Sequence, residues 1–128
     1  RGARGVFQEA GQLIRALQDS YDRSNETSGR EILEPVLEAD VLLLDDVGVS
    51  RSTPFTVDTL GLILNERYNA QRLTLVTTNL PPERTEGREC LGDRIGERVA
   101  SRLCEMCFSV VMEGRDFRRY GKNAGFSS

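Results

Sequence analysis

Asp45 and Asp46 close the run Val41-Leu42-Leu43-Leu44-Asp45-Asp46-Val47-Gly48, where two adjacent carboxylates can do chemistry. The four apolar residues suit a strand buried on both faces. The acids then stand where that strand ends, and a glycine-containing loop follows. A buried strand has no use for adjacent acids unless they emerge at an edge where a cation or a polar substrate waits. The plain alternative is a strand that stops in a solvated Asp-Asp turn. Asn79 follows a second apolar run, Leu73 to Thr78. Arg98 and Arg102 lie four apart where Leu91, Ile95, Val99 and Leu103 recur every four residues, so they share a helix face. As isolated features they read as surface arginines, with Glu97 and Glu105 as their partners.

In an open parallel sheet, ligands bind at the carboxyl ends of the strands, and Asp45, Asp46 and Asn79 all occupy such ends. Successive residues leaving a strand point to opposite sides. Asp45 can therefore reach a magnesium ion or its waters while Asp46 faces an attacking water. Asn79 can hydrogen-bond that water or a terminal phosphate. Two acids and an amide around one pocket suit phosphoryl transfer, where catalysis is mainly positioning and charge neutralisation. This is the arrangement of a Walker B segment in a nucleotide hydrolase. An arginine donated across a subunit boundary is worth about 10³–10⁵ in such a reaction, which gives Arg98 and Arg102 a second reading. Arg118, in Asp116-Phe117-Arg118-Arg119, can reach phosphates too or simply form a basic flank.

The elements that must position these groups alternate between strand and helix. Arg4 to Gln8 reads as a short strand and Glu9 to Tyr21 as a helix, with Leu13, Ile14 and Leu17 on one side. Ser28 and Glu31 resemble a capping box opening a short helix through Ile32, Leu33, Val36 and Leu37. Pro35 interrupts that helix and predicts two turns with a kink. Thr53-Pro54 makes an N-cap and first helical position. In the helix that follows, Val57, Leu60, Ile63, Leu64 and Tyr68 form the apolar stripe, with Asp58, Asn65, Glu66 and Arg67 at its edge or back. One further helix from about Cys90 and a last strand at Phe108 to Met112 complete the pattern. This order predicts βαβ units and a mostly parallel sheet in an α/β domain over residues 1–120, with residues 121–128 as a mobile tail.

Composition excludes several chemistries. The 128 residues are 38% hydrophobic and 29% charged, which suits one globular domain. There is no His, so His-dependent triads and His-ligated metals are out. Cys90, Cys104 and Cys107 lack the fourth thiolate of a zinc site and read as small buried hydrophobes. No apolar stretch approaches membrane-spanning length and no signal peptide is visible, so the expected location is cytoplasmic. The net charge of −3 offers no global attraction to nucleic acid. Arg84, Arg88, Arg94 and Arg98 could form a local basic strip, but Glu83, Glu86, Glu89 and Glu97 alternate with them. Lys122 is the one lysine, far from any strand-to-helix turn, and no G-x-x-x-x-G-K-S/T phosphate loop occurs.

Four segments in order carry a family resemblance. They are Leu42-Leu43-Leu44-Asp45-Asp46-Val47-Gly48, Leu64-Asn65-Glu66-Arg67-Tyr68-Asn69, Thr77-Thr78-Asn79-Leu80 and Gly96-Glu97-Arg98-Val99-Ala100-Ser101-Arg102-Leu103. The stretch from about Phe7 to Arg119 resembles the later part of the AAA+ domain of DnaC/IstB-like ATPases, which are bacterial replicative-helicase loaders and transposase helpers. The resemblance implies that Asp45 is the Walker B acid supporting magnesium and Asp46 the acid polarising water. It implies that Asn79 is the sensor of the terminal phosphate and Arg102 the trans-acting arginine finger, with Arg98 a neighbouring candidate. Arg118 is similar to the cis-acting second sensor. ATP, magnesium, self-association, a replicative helicase or transposase partner and single-stranded DNA are implied with them.

The sequence departs from that family in lacking the P-loop strand, the P-loop and its lysine. These are expected to precede Arg1, which makes the chain a fragment that binds ATP poorly alone. The missing strand is expected to lie centrally, between the last strand and the sensor strand, leaving open edges on both. Two other readings stand beside this one. A receiver-like magnesium-binding domain would need a lysine near a later strand end and a separate phosphoacceptor Asp. A non-catalytic interaction module with a vestigial nucleotide site needs neither.

Overall fold

The computed structural model describes residues 2–23, 26–49 and 52–113. Strand β1 (Gly5–Glu9) leads into helix α1 (Ala10–Asp22), then α2 (Glu26–Glu38) and strand β2 (Val41–Asp45). Helix α3 (Pro54–Asn69), strand β3 (Leu73–Val76), and helices α4 (Leu91–Ile95) and α5 (Glu97–Met106) follow. The strands form one parallel sheet in the order β1-β2-β3, with Glu9 opposite Asp45 and Leu44 opposite Val76. The α/β class and the parallel sheet agree with the pattern in the sequence.

A single core lies on one face of this sheet. Leu42 and Leu44 of β2 pack there with Leu13 and Leu17 of α1, Val36 of α2, Ile63 and Leu64 of α3, and Ile95 of α4. The alternate residues face the other way: Phe7 is 62% exposed, Leu73 58% and Leu75 49%. The expectation of strands buried on both faces is therefore corrected. With the core on one face, strand alternation leaves the opposite-facing apolar residues of β1 and β3 exposed and Val41 and Leu43 of β2 half-buried.

Several element boundaries differ from expectation for identifiable reasons. Helix α2 begins at Glu26, two residues before the expected Ser28 cap, and runs through Pro35 to Glu38 as one helix. Tertiary contacts hold its last turn: Arg67 donates to the carbonyls of Val36, Leu37 and Ala39. The cap of α3 is as predicted, with Thr53 accepting from the Thr56 amide at 3.2 Å and Pro54 following. Its stripe is not: Arg67 is fully buried, whereas Tyr68 is 45% exposed. The apolar stripe from Leu91 to Leu103 is buried throughout, but on two helices. Gly96, at φ +92° and ψ 144°, breaks the helical path between them.

Phe108 to Met112 is not a strand, and Phe108, Val110, Val111 and Met112 are strongly exposed. A strand exists through its ladder, and among the described residues this segment pairs with none. The second edge of β3 is likewise without a partner strand among them. Arg118, Lys122 and the predicted tail lie outside the described residues.

Candidate functional site at the carboxyl rim of the sheet

Strand β2 ends on Asp45, and the chain then turns through two left-handed residues, Asp46 at φ +58° and Gly48 at φ +88°. Aspartate tolerates that region better than most residues, yet the turn still needs holding. Thr77, one residue past β3, supplies much of the hold. Its amide donates to the Leu44 carbonyl at 3.0 Å, and its carbonyl accepts from the Val47 amide at 2.9 Å. Its hydroxyl donates to Asp45 Oδ1 at 2.6 Å and accepts from the Asp46 amide at 2.9 Å. One side chain thus orients the first acid and fixes the backbone of the second.

The two acids diverge. Asp45 faces Thr77, while Asp46 lines a cavity of about 240 Å³ with Glu9, Gly11, Arg15, Thr53 and Thr56. Glu9 closes β1 and its Oε1 accepts from the Gln12 amide at 2.7 Å, capping α1. Asn79 lies two residues beyond Thr77, exposed on the same rim. Asp45, Asp46 and Asn79 therefore share one edge of the sheet. Thr77 was missed as a site residue: read as the end of a strand, its hydroxyl had no assigned partner. The visible signal was a hydroxyl residue at a strand exit, beside an acid pair on a neighbouring strand.

The arginines occupy a different place. Arg98 and Arg102 on α5 line a groove of about 690 Å³ against α3, with Asp58, Leu62 and Asn65. Arg102 pairs with Glu105 at 3.5 Å, and its guanidinium lies over the Tyr68 ring, 5.3 Å from the centroid. Glu97 instead meets Arg84.

Two arginines of the basic strip, Arg84 and Arg94, are spent on ion pairs. Arg84 donates to Asp93 and Glu97, and Arg94 to Glu89. Asp93 also accepts from the Cys90 amide at the start of α4. These hydrogen bonds, first that of Cys90 and then that of Arg84, hold the Asp93 carboxyl below its ordinary range. Cys90, Asp93 and Glu97 bring possible ligand atoms within 4.8 Å of one another, but Arg84 already supplies the positive charge there. Cys90 is buried as expected, and burial raises the half-buried Cys107 thiol. Cys104 is exposed, a correction that follows from its place one residue past the buried Leu103 on α5.

No protein-family model matches the chain. The replicative helicase loader DnaC of Escherichia coli (strain K12) is 25% identical over 99 residues, covering 77% of this chain and 39% of that protein. The crystal structure of the DnaC helicase loader superposes with a TM-score of 0.67 at 34% identity, over 83% of this chain and 59% of the other. AMPPCP-bound DnaA from Aquifex aeolicus shares the fold, with a TM-score of 0.62 at 21% identity over 82% of this chain and 30% of that one. The chain spans between 34% and 39% of the curated relatives it matches.

Proposed function

From a chain homologous to the helicase loader DnaC and carrying part of the same AAA+ fold, we propose the later part of an ATP-hydrolysing replication protein of the DnaC/IstB type. The observation that carries this reading is the acid pair bridged by Thr77 at the carboxyl rim of a parallel sheet. Asp45 would hold magnesium, and Asp46 would orient and polarise the attacking water. Asn79 would sense the terminal phosphate from the same rim. Hard oxygen donors, few in number, suit magnesium, which keeps several waters and takes the rest of its ligands from phosphate. When bound, the ion would neutralise charge on the phosphates.

The phosphate cradle is proposed to come from residues before Arg1, since no G-x-x-x-x-G-K-S/T occurs in the sequence. The 128-residue chain alone is accordingly expected to bind a labelled ATP analogue weakly; micromolar affinity would refute this. Arg102 would act on a neighbouring subunit's nucleotide, and Arg98 and Arg118 would support phosphate contacts. The groove lined by Arg102 shares no lining residue with the cavity lined by Asp46, which supports action on a nucleotide other than the one at Asp46. The partners proposed are a replicative helicase or a transposase, with single-stranded DNA and further copies of the protein. A cytoplasmic location is part of the same proposal; no helix among the described residues is long and apolar enough to cross a membrane.

The test uses the full-length protein. Asp46→Asn should abolish turnover while ATP still binds, and Arg102→Ala should lower turnover by about 10³-fold or more. Mixing the two variants should restore part of the activity, because each supplies what the other lacks. No recovery on mixing counts against a finger acting in trans.

A further inference from the structure

The turn after the acid pair is held from a third direction, by a residue that neither the acids nor the finger reading uses. Arg94 of α4 donates from Nη1 to the Gly48 carbonyl at 3.0 Å and to the Val49 carbonyl at 2.9 Å. Its Nε donates to Glu89 Oε2 at 2.6 Å, which fixes the guanidinium from behind. The turn is also closely packed: a Cβ on Gly48 would come within 2.9 Å of Leu80 Cδ1, 3.4 Å of Leu91 Cδ1 and 3.7 Å of Arg94 Cβ. With Thr77 on the strand side, the segment from Asp46 to Val49 has little freedom.

We propose that Arg94 is a positioning residue for the acid pair, locking the Gly48–Val49 turn, and through it Asp45 and Asp46, to helix α4. Arginine suits the task because one planar group carries both contacts: Nη1 reaches two carbonyls while Nε meets a carboxylate. The clamp has a second consequence. Helix α4 joins α5 through Gly96 alone, so the loop bearing the acids is registered against the helix bearing Arg98 and Arg102. Displacement of reacting groups by about 1 Å costs on the order of 10²-fold in rate, so a loosened turn would be felt in turnover. That part of the inference rests on the ATPase reading above; the clamp itself does not.

Two measurements on the full-length protein separate these parts. Arg94→Ala should lower kcat at least about tenfold and raise the magnesium needed for half-maximal turnover, with ATP affinity within about twofold of wild type. Arg94→Lys keeps the charge but not the second nitrogen that meets Glu89, and should fall between. Amide hydrogen exchange at Val47 and Val49 should quicken about tenfold or more in Arg94→Ala. Unchanged exchange in a folded variant overturns the clamp, whatever happens to nucleotide. Faster exchange with unchanged kcat overturns the positioning role. If neither variant folds, or if both lose ATP binding together with turnover, Arg94 is a fold residue and the proposal fails. A wild-type protein that neither binds nor hydrolyses ATP would sink the proposed function instead, and the exchange comparison would still judge the clamp.

Discussion

At the amino end of the sheet, Arg67 is fully buried and all three guanidinium nitrogens donate. Nε meets Thr74 Oγ1, Nη1 meets the carbonyls of Val36, Leu37 and Ala39, and Nη2 meets Leu73 O. At the carboxyl end, Asp45 and Asp46 rest on one threonine hydroxyl and a left-handed turn, with Asn79 exposed beside them. Both ends place charge at strand termini. At the amino end the charge joins α2, α3 and β3 and is consumed in doing so. At the carboxyl end the acids keep capacity to meet something outside the chain. A polar group that has found its partners inside the fold is a stability device, and one held in place but not saturated is a candidate for chemistry.

Burial holds the Arg67 pKa below its ordinary value, with Arg72 adding to the effect, and among the described residues no carboxylate hydrogen-bonds it. Carbonyl oxygens carry the compensation, so the site depends on hydrogen-bond geometry. Arg67→Met keeps much of the volume but strands those acceptors, and should destabilise the protein by about 3–5 kcal/mol in urea unfolding. A variant as stable as wild type would break the comparison at its stronger end. Thr77→Val tests the other end. It removes one hydroxyl from a partly exposed rim and should cost about 1 kcal/mol, with a raised magnesium requirement in the full-length protein. A loss as large as that of Arg67→Met would mean that the carboxyl rim is cemented too.

The smallest effect concerns pH. Asp93, hydrogen-bonded to the Cys90 amide and Arg84, titrates below its ordinary value in the folded protein. The unfolded chain therefore binds more protons in that window. The stability Asp93 contributes is present above the ordinary carboxylate range, near pH 4, and is lost as pH falls through the depressed value. Thermal melts from neutral to acid pH should show a shallower fall for Asp93→Asn than for wild type. Parallel curves would show that this cluster adds nothing to the contrast between the two ends.

Much of the fold was legible because its signals are local. The Thr53-Pro54 cap of α3 and the buried stripe from Leu91 to Leu103 could be read without knowing what lay opposite them. The exchange between Arg67 and Tyr68 could not. Both lie near the edge of an amphipathic stripe, and Arg67 goes inside because carbonyls from α2 and β3 converge there. Tyr68 remains outside, beneath Arg102. Within the candidate site, the acid pair and Asn79 stood out by residue type and position. Thr77 and Arg94 did not, since each acts through atoms about 30 and 45 residues away along the chain.

The amino-acid order by itself determined the α/β alternation, the parallel strands and the placing of two acids at a strand exit, because apolar periodicity and caps act within a few residues. Tertiary structure alone decided which charges were spent on the fold and which stayed available. That outcome depends on acceptors brought together from distant segments, and no spacing along the chain encodes their distance.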